Sequence, residues 1–291
     1  MDIPVNLILS QMVLGVVNGV LYAILSLGLA VIFGLLGVIN FAHGVFFMMG
    51  AYCAYTLLTW FGIGYWGALV LAPLIVGAIG IVVEVFLIRH LYKLDHLYGL
   101  LLTLGLAIFV EGLAHITYGP LGLPYSIPPS LQGAVNLGFM FLPFYRAWVV
   151  VFGIVLCVGT WLAIEKTPLG AKLRAATDNP RMVQAFGINV PVMLTLTYAA
   201  GVALAAVGGV LAAPIMSVHP QMGVSVVIVV FAVVVIGGMG SIMGSIVTGI
   251  LLGLLEGLAK AVAPEFSSTV IFIFMALVLL ARPRGLFGKV A

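Results

Sequence analysis

Charge is scarce in this sequence. Eleven basic and eight acidic residues make up 7% of 291, where ordinary globular chains carry about 25%. A soluble surface cannot be built from so little charge. The formal net charge of +3, with its basic residues dispersed, offers no footprint for nucleic acid. Cysteine is nearly absent as well. Cys53 and Cys157 both lie in apolar runs, which excludes a disulfide framework and makes each a small core residue. The common catalytic signatures are missing: no Gly-x-Ser-x-Gly, no His-Glu-x-x-His and no cysteine–histidine dyad at a recognisable spacing. Catalytic residues and metal ligands are therefore not expected. There is no Gly-x-x-x-x-Gly-Lys-Ser/Thr either, so the chain has no P-loop with which to bind ATP. The first residues carry no basic segment of the kind that opens a cleavable signal, so the first apolar run is expected to be a retained span.

What is present is apolar. The chain is 64% hydrophobic, with mean hydropathy +1.33. Runs of about 20 uncharged residues match the thickness of a bilayer core. The pattern predicts an all-α, polytopic transmembrane bundle, read as one domain over 1–291. Spans are expected near 7–33, 41–61, 66–88, 97–118, 144–164, 190–212, 224–239, 244–262 and 266–281. The seventh is short and bounded by glycine, so eight spans plus a re-entrant segment is the alternative. Nine spans put Arg89, Lys93, Lys166, Lys172, Arg174, Arg181, Arg282, Arg284 and Lys289 on one side. The positive-inside rule makes that side cytoplasmic, with the C-terminus on it. The uncharged connection 119–143, with five prolines, reads as a shaped cap or an ordered connector on the outer side.

Glycines four apart, at 15 and 19 and at 249, 253 and 257, predict close helix crossings. Two other glycine-rich stretches, 34–44 and 237–245, interrupt apolar sequence with polar atoms. Irregular backbone at membrane depth survives where protein or a water-filled cavity satisfies it, and broken helices present dipole ends to a solute. This nominates Asn40, His43, Gly44, Gly238, Gly240 and Ser241 for a translocation path. Among ionisable residues inside spans, Glu84 is expected to pair with Arg89. Glu256 is expected to pair with Lys260 one turn on.

Residues 165–189 are the polar exception, holding Glu165, Lys166, Lys172, Arg174, Asp178 and Arg181. Asn179 suits an N-cap, Pro180 the first helical position and Gly187 the residue after a helix end. A short helix over 180–186 is expected, with Met182, Val183 and Phe186 on one side. It reads either as an interfacial helix touching lipid headgroups or as a knob inserted into a cytoplasmic protein.

Residues 170–189, Gly-Ala-Lys-Leu-Arg-Ala-Ala-Thr-Asp-Asn-Pro-Arg-Met-Val-Gln-Ala-Phe-Gly-Ile-Asn, resemble the cytoplasmic loop of ABC-transporter permeases for branched-chain amino acids. The stretches 28–44, with Asn-Phe-Ala-His-Gly, and 235–245 agree. The likeness runs from about 10 to 287, and the compact length favours the H-type (LivH-type) subunit over the longer M-type. The general permease loop starts Glu-Ala-Ala with a glycine four residues later; here Arg174-Ala175-Ala176 precedes Gly187. The resemblance implies an importer in the bacterial inner membrane. Its partners would be ABC ATPase subunits that bind the ATP, a second permease, identical or sister, and a periplasmic binding protein. Asp178, Asn179, Pro180, Arg181, Met182, Val183, Phe186 and Gly187 would form the coupling element. A permease of the same family for urea or short amides, an integral membrane enzyme and an ATP-independent channel are the alternative readings.

Overall fold

The computed structural model describes residues 4–37, 40–92 and 94–288, apart from the side chains of Leu35 and His96. Val38 and Ile39 of the first glycine-rich break, the charges of Lys93 and Lys289, and the C-terminal Ala291 lie outside the described residues. The architecture is all-α. Backbone groups in hydrocarbon have no water to bond, so apolar segments close their hydrogen bonds internally as helices. Eleven α-helices are described: α1 (Val5–Leu36), α2 (His43–Phe61), α3 (Tyr65–Phe86), α4 (His96–Tyr118), α5 (Phe144–Glu165), α6 (Pro168–Asp178), α7 (Pro180–Ala185), α8 (Val190–Ala212), α9 (Met222–Gly237), α10 (Ile242–Val262) and α11 (Thr269–Ala281).

Seven of these, α1–α5, α8 and α10, are long and apolar enough to cross a membrane. The chain is a multi-pass membrane protein. Two expected spans are shorter: α9 has 16 residues and α11 has 13. At about 1.5 Å per residue they reach roughly 24 and 20 Å, less than a bilayer core of about 30 Å. The last span was expected from 266. Instead Pro264–Phe266 forms a single 3₁₀ turn and the helix starts at Thr269.

The chain divides into two compact units, and α1, α5 and α9 each contribute residues to both. One unit comprises 28–125 and 158–227. Its centre is α8, packed on both α2 and α3 and antiparallel to α3, with Gly77 of α3 beside Ala203 and Glu84 beside Thr195. A Cβ on Gly50 of α2 would lie 2.5 Å from Ala206 Cα, and one on Gly80 of α3 would meet the Val202 side chain at 3.0 Å. The glycines are what let α8 approach this closely.

The other unit comprises 1–27, 126–157 and 228–291. Here the expected glycine stripe is found: a Cβ on Gly15 of α1 would sit 2.5 Å from the carbonyl oxygen of Gly253 on α10. Ala232, Val233, Ile236, Leu252, Ile271 and Val278 form its core, drawn from α9, α10 and α11. This unit also contains a hairpin that the sequence reading did not anticipate: β1 (Ala134–Asn136) pairs antiparallel with β2 (Phe141–Pro143), Val135 opposite Leu142. The side chain of Asn136 accepts from Gly138 N–H at 2.8 Å and closes the turn. Three paired residues inside a proline-rich connection are too few to show a two-residue alternation.

Candidate functional site

The polar segment 165–189 forms a helical elbow, α6–α7, between α5 and α8. Thr167 lies in extended backbone and Pro168 opens α6. Helix α6 was not expected, although Thr-Pro is the sequence signal for its start. It folds tightly against the end of α5. A Cβ on Gly170 would overlap the carbonyl oxygen of Ile164 at 1.6 Å, so only glycine fits. The Arg174 guanidinium donates to Ile164 O at 3.5 Å and reaches Glu165 at 3.4 Å, which pins α6 to that same turn. Gly170, Leu173 and Ala176 form the buried stripe.

Asn179 makes the bend. Its N–H closes α6 on Ala175 O at 2.9 Å, and its side-chain oxygen accepts from Met182 N–H at 3.1 Å to start α7. This is the expected N-cap, with Pro180 in the first turn. Gly187, at φ +79°, reverses the chain after α7, and Ile188 N–H returns to Val183 O. Asn189 then caps α8 through Val192 N–H at 3.2 Å. Successive helical residues turn by about 100°, and one member of the expected apolar side is accordingly turned in. Val183 is 7% exposed and joins Ala176 and Val190 in a small core with Ile188, Met193 and Leu194. Met182, at 57%, and Phe186, at 79%, face out. They line a groove of about 490 Å³ together with Ala171, Ala175, Asp178 and Ile188. The elbow thus brings Asp178 to Gly187 together and anchors them to α8, while offering two large apolar side chains outward.

The residues nominated for a path divide between the units. Asn40, His43 and Gly44 belong to one, Gly238, Gly240 and Ser241 to the other. In the first break, Asn40 is buried and donates to the Tyr198 hydroxyl of α8 at 3.1 Å. His43 opens α2 with its imidazole packed on Gly28, and Gly44 lets α2 approach Gly223. In the second, Gly238 and Gly240 have φ of +99° and +83°, which breaks the helix as expected. Ser241 caps α10 by accepting from Gly244 N–H at 3.1 Å. The carbonyls of Ile236 and Gly237 at the end of α9 accept from Leu286 and Phe287 N–H at 2.7 and 3.1 Å.

Both expected ion pairs form. Arg89 reaches Glu84 at 3.1 Å and Lys260 reaches Glu256 at 2.6 Å. Sequence reasoning missed the hydroxyls that join them: Tyr92 and Thr195 on Glu84, Tyr22 on Glu256. Nothing in an apolar helix marks one threonine or tyrosine as the partner of a carboxylate far away in the chain.

Seven apolar helices long enough to cross a membrane, joined through a polar elbow, define a multi-pass membrane protein. The family model described as the permease component of the branched-chain amino acid transport system matches residues 11–279, and the chain belongs to that family. It is 31% identical over 300 residues to the high-affinity branched-chain amino acid transport system permease protein BraD of Pseudomonas aeruginosa, covering 97% of this chain and 96% of that one. It is 30% identical over 302 residues, with the same coverage, to the permease protein LivH of Escherichia coli K12. Against LivM of the same organism it is 27% identical over 291 residues, covering 91% of this chain and 67% of LivM. No solved structure matches the chain significantly.

Proposed function

We propose that this chain is the membrane-spanning permease subunit of an ATP-driven importer for branched-chain, hydrophobic amino acids in a bacterial inner membrane. The whole chain acts as one permease domain beside a second permease subunit. A periplasmic binding protein delivers the solute. Separate ATPase subunits bind the ATP, in keeping with the missing P-loop. Residues 165–189 and the C-terminus face the cytoplasm, where the basic residues concentrate. The connection 119–143 faces the binding protein. The path runs by the two glycine-rich breaks, at Asn40, His43, Gly44, Gly238, Gly240 and Ser241.

The observation that carries this reading is the exposure of Met182 and Phe186 beside an apolar groove on an otherwise polar elbow. A helix meant only to rest in headgroups would turn all its apolar residues one way. Here Val183 fastens α7 to α8 while its neighbours remain available to a partner. The ATPases press on this knob as they close, and α8 conveys the displacement to the spans. The energy lies in contacts that differ between outward- and inward-facing states.

The test is Phe186→Asp, with ATPase retention on the purified permease and leucine uptake into energised vesicles as readouts. An interface anchor is worth about 2 kcal/mol, so retention should weaken by roughly 30-fold and uptake should fall with it. Unchanged ATP-coupled uptake would overturn the docking role. Competition of the uptake by urea or acetamide, and not by isoleucine or valine, would move the assignment to the amide permeases. Uptake that survives vanadate would make the protein a channel.

A further inference from the structure

The buried carboxylate of Glu84 has no part in docking or in the path, yet it accepts from three other side chains. It sits in the last turn of α3 with 0% of its side chain exposed. Arg89, on the 3₁₀ turn that follows, donates from Nε at 3.4 Å and from Nη2 at 3.1 Å. The Tyr92 hydroxyl donates at 3.0 Å. Thr195 of α8 donates at 2.7 Å and itself accepts from Arg89 Nη2 at 2.7 Å. Burial first, then the Glu84 charge, push the Tyr92 phenol well above its ordinary value, so it remains a donor at physiological pH. The single hydroxyl hydrogen of Thr195 has a second acceptor, Pro191 O at 2.9 Å. It can therefore leave the carboxylate without being stranded.

Thr195 lies in the second turn of α8. The same two turns carry Val190, Met193 and Leu194, which pack with Ala176 and Val183 of the elbow. One short piece of α8 is thus gripped from two directions, by α6–α7 through apolar contact and by α3 through a charge. Farther along, α8 touches α3 at Gly80 and α2 at Gly50 with glycine-close packing. Such interfaces are held by van der Waals packing and carry no directed polar bond at those positions.

We propose that Glu84, with Arg89 and Thr195, is a positioning clamp that makes α3 follow the first turns of α8 when the elbow moves. This rests on the reading of α6–α7 as the docking element. Without the clamp the elbow would drag α8 past α3, and ATP would be hydrolysed without a matching movement of solute.

Two measurements separate the clamp from the docking role. Spin labels are placed on the exposed positions Phe86→Cys in α3 and Val192→Cys in α8, in a Cys53→Ala, Cys157→Ala background. The distance distribution between them is recorded in lipid. ATP hydrolysed per leucine imported is measured on the complete transporter in proteoliposomes. Glu84→Gln and Thr195→Val should broaden the distribution and lower leucine moved per ATP by about tenfold, the scale of an ordinary coupling energy. ATPase retention should be unchanged, and Thr195→Ser, which keeps the hydroxyl, should restore both readouts. A distribution as narrow in Glu84→Gln and Thr195→Val as in the parent overturns the clamp. So does a loss of uptake and hydrolysis in equal proportion, which marks a purely structural role. If the parent itself retains no ATPase, the docking reading falls, and a broadened distribution still upholds the tie between α3 and α8.

Discussion

Among the described residues, each unit contains one buried carboxylate with a cation nearby in sequence and a tyrosine hydroxyl, but the two are built differently. Glu84 is wholly buried, and its cation Arg89 is 39% exposed. Glu256 retains 12% exposure beside Lys260 at 38%. Glu84 accepts from three side chains, one of them on α8, whereas Glu256 accepts from the lysine of its own helix and from Tyr22 of α1 at 2.8 Å. The difference lies in geometry. A planar guanidinium can engage a carboxylate and a hydroxyl at once, and Arg89 does so through Glu84 and Thr195. An ammonium on a flexible stem is a point charge, and Lys260 serves a single helix. Glu84 is tied to α8 through both a threonine and the arginine that bridges to it, whereas Glu256 is tied to α1 through one tyrosine hydroxyl.

The sharpest way to break this comparison is to remove each cation. Arg89→Ala leaves the Glu84 carboxylate buried with only hydroxyl partners. Breaking a buried pair from one side costs about 3–5 kcal/mol, and the partial exposure of Arg89 places this case at the lower end. The expected result is a large fall in the unfolding midpoint of the detergent-solubilised protein. Arg89→Lys should recover only part of it, because an ammonium on a flexible stem lacks the planar fork that engages Glu84 and Thr195 together. Full recovery by lysine would show that charge alone matters and that the forked geometry is incidental.

The contrast also marks what could be read in the sequence. Glu84 with Arg89 and Glu256 with Lys260 were legible because a helix brings residues four or five apart to one side. The nine apolar segments and the bend at Asn179-Pro180 were legible for similar local reasons: run length, an amide cap, a proline in the first turn and Gly187 after the last. Helix α6 was within reach, since Thr167-Pro168 is a helix start, but its low hydrophobicity made it look like a lead-in. Thr195 and Tyr22 were not legible at all. Their partners lie 111 and 234 residues away, and threonine or tyrosine in an apolar helix is ordinary. The inward turn of Val183 was missed because a six-residue helix is too short for its pattern to say which side meets the protein.

Tyr22→Phe comes next in size. It deletes one hydrogen bond to a charged acceptor and leaves the ring in place among the α9–α11 core residues. Hydrogen bonds to charged groups are worth about 1.5–3 kcal/mol net. Since Glu256 keeps its bond to Lys260, the expected loss is about 1.5 kcal/mol. The corresponding change beside Glu84, Thr195→Val, should cost more thermal stability than Tyr22→Phe, because it removes one hydrogen-bond partner from the arginine as well as one from the carboxylate. Equal losses would show that the two carboxylates are equivalent despite their different surroundings.

Lys260→Ala should have the smallest effect. The pair lies on one helix, the ammonium is 38% exposed in the last turn of α10, and holding a long side chain in place has an entropic penalty. An exposed pair four residues apart contributes about 0.3–0.5 kcal/mol, and the largely buried carboxylate raises that to about 1 kcal/mol. Tyr22 still caps the charge when the lysine is gone. The effect should shrink further as salt is raised, since a solvent-reached pair is screened over about 8 Å at physiological ionic strength. The same salt series on Arg89→Ala should be nearly flat, because the carboxylate it leaves without its cation is buried. Parallel salt dependence in the two variants would remove the distinction between a clamp inside the protein and a pair at its edge. The case for Glu84 as the element that ties α3 to α8 would then rest on Thr195 alone.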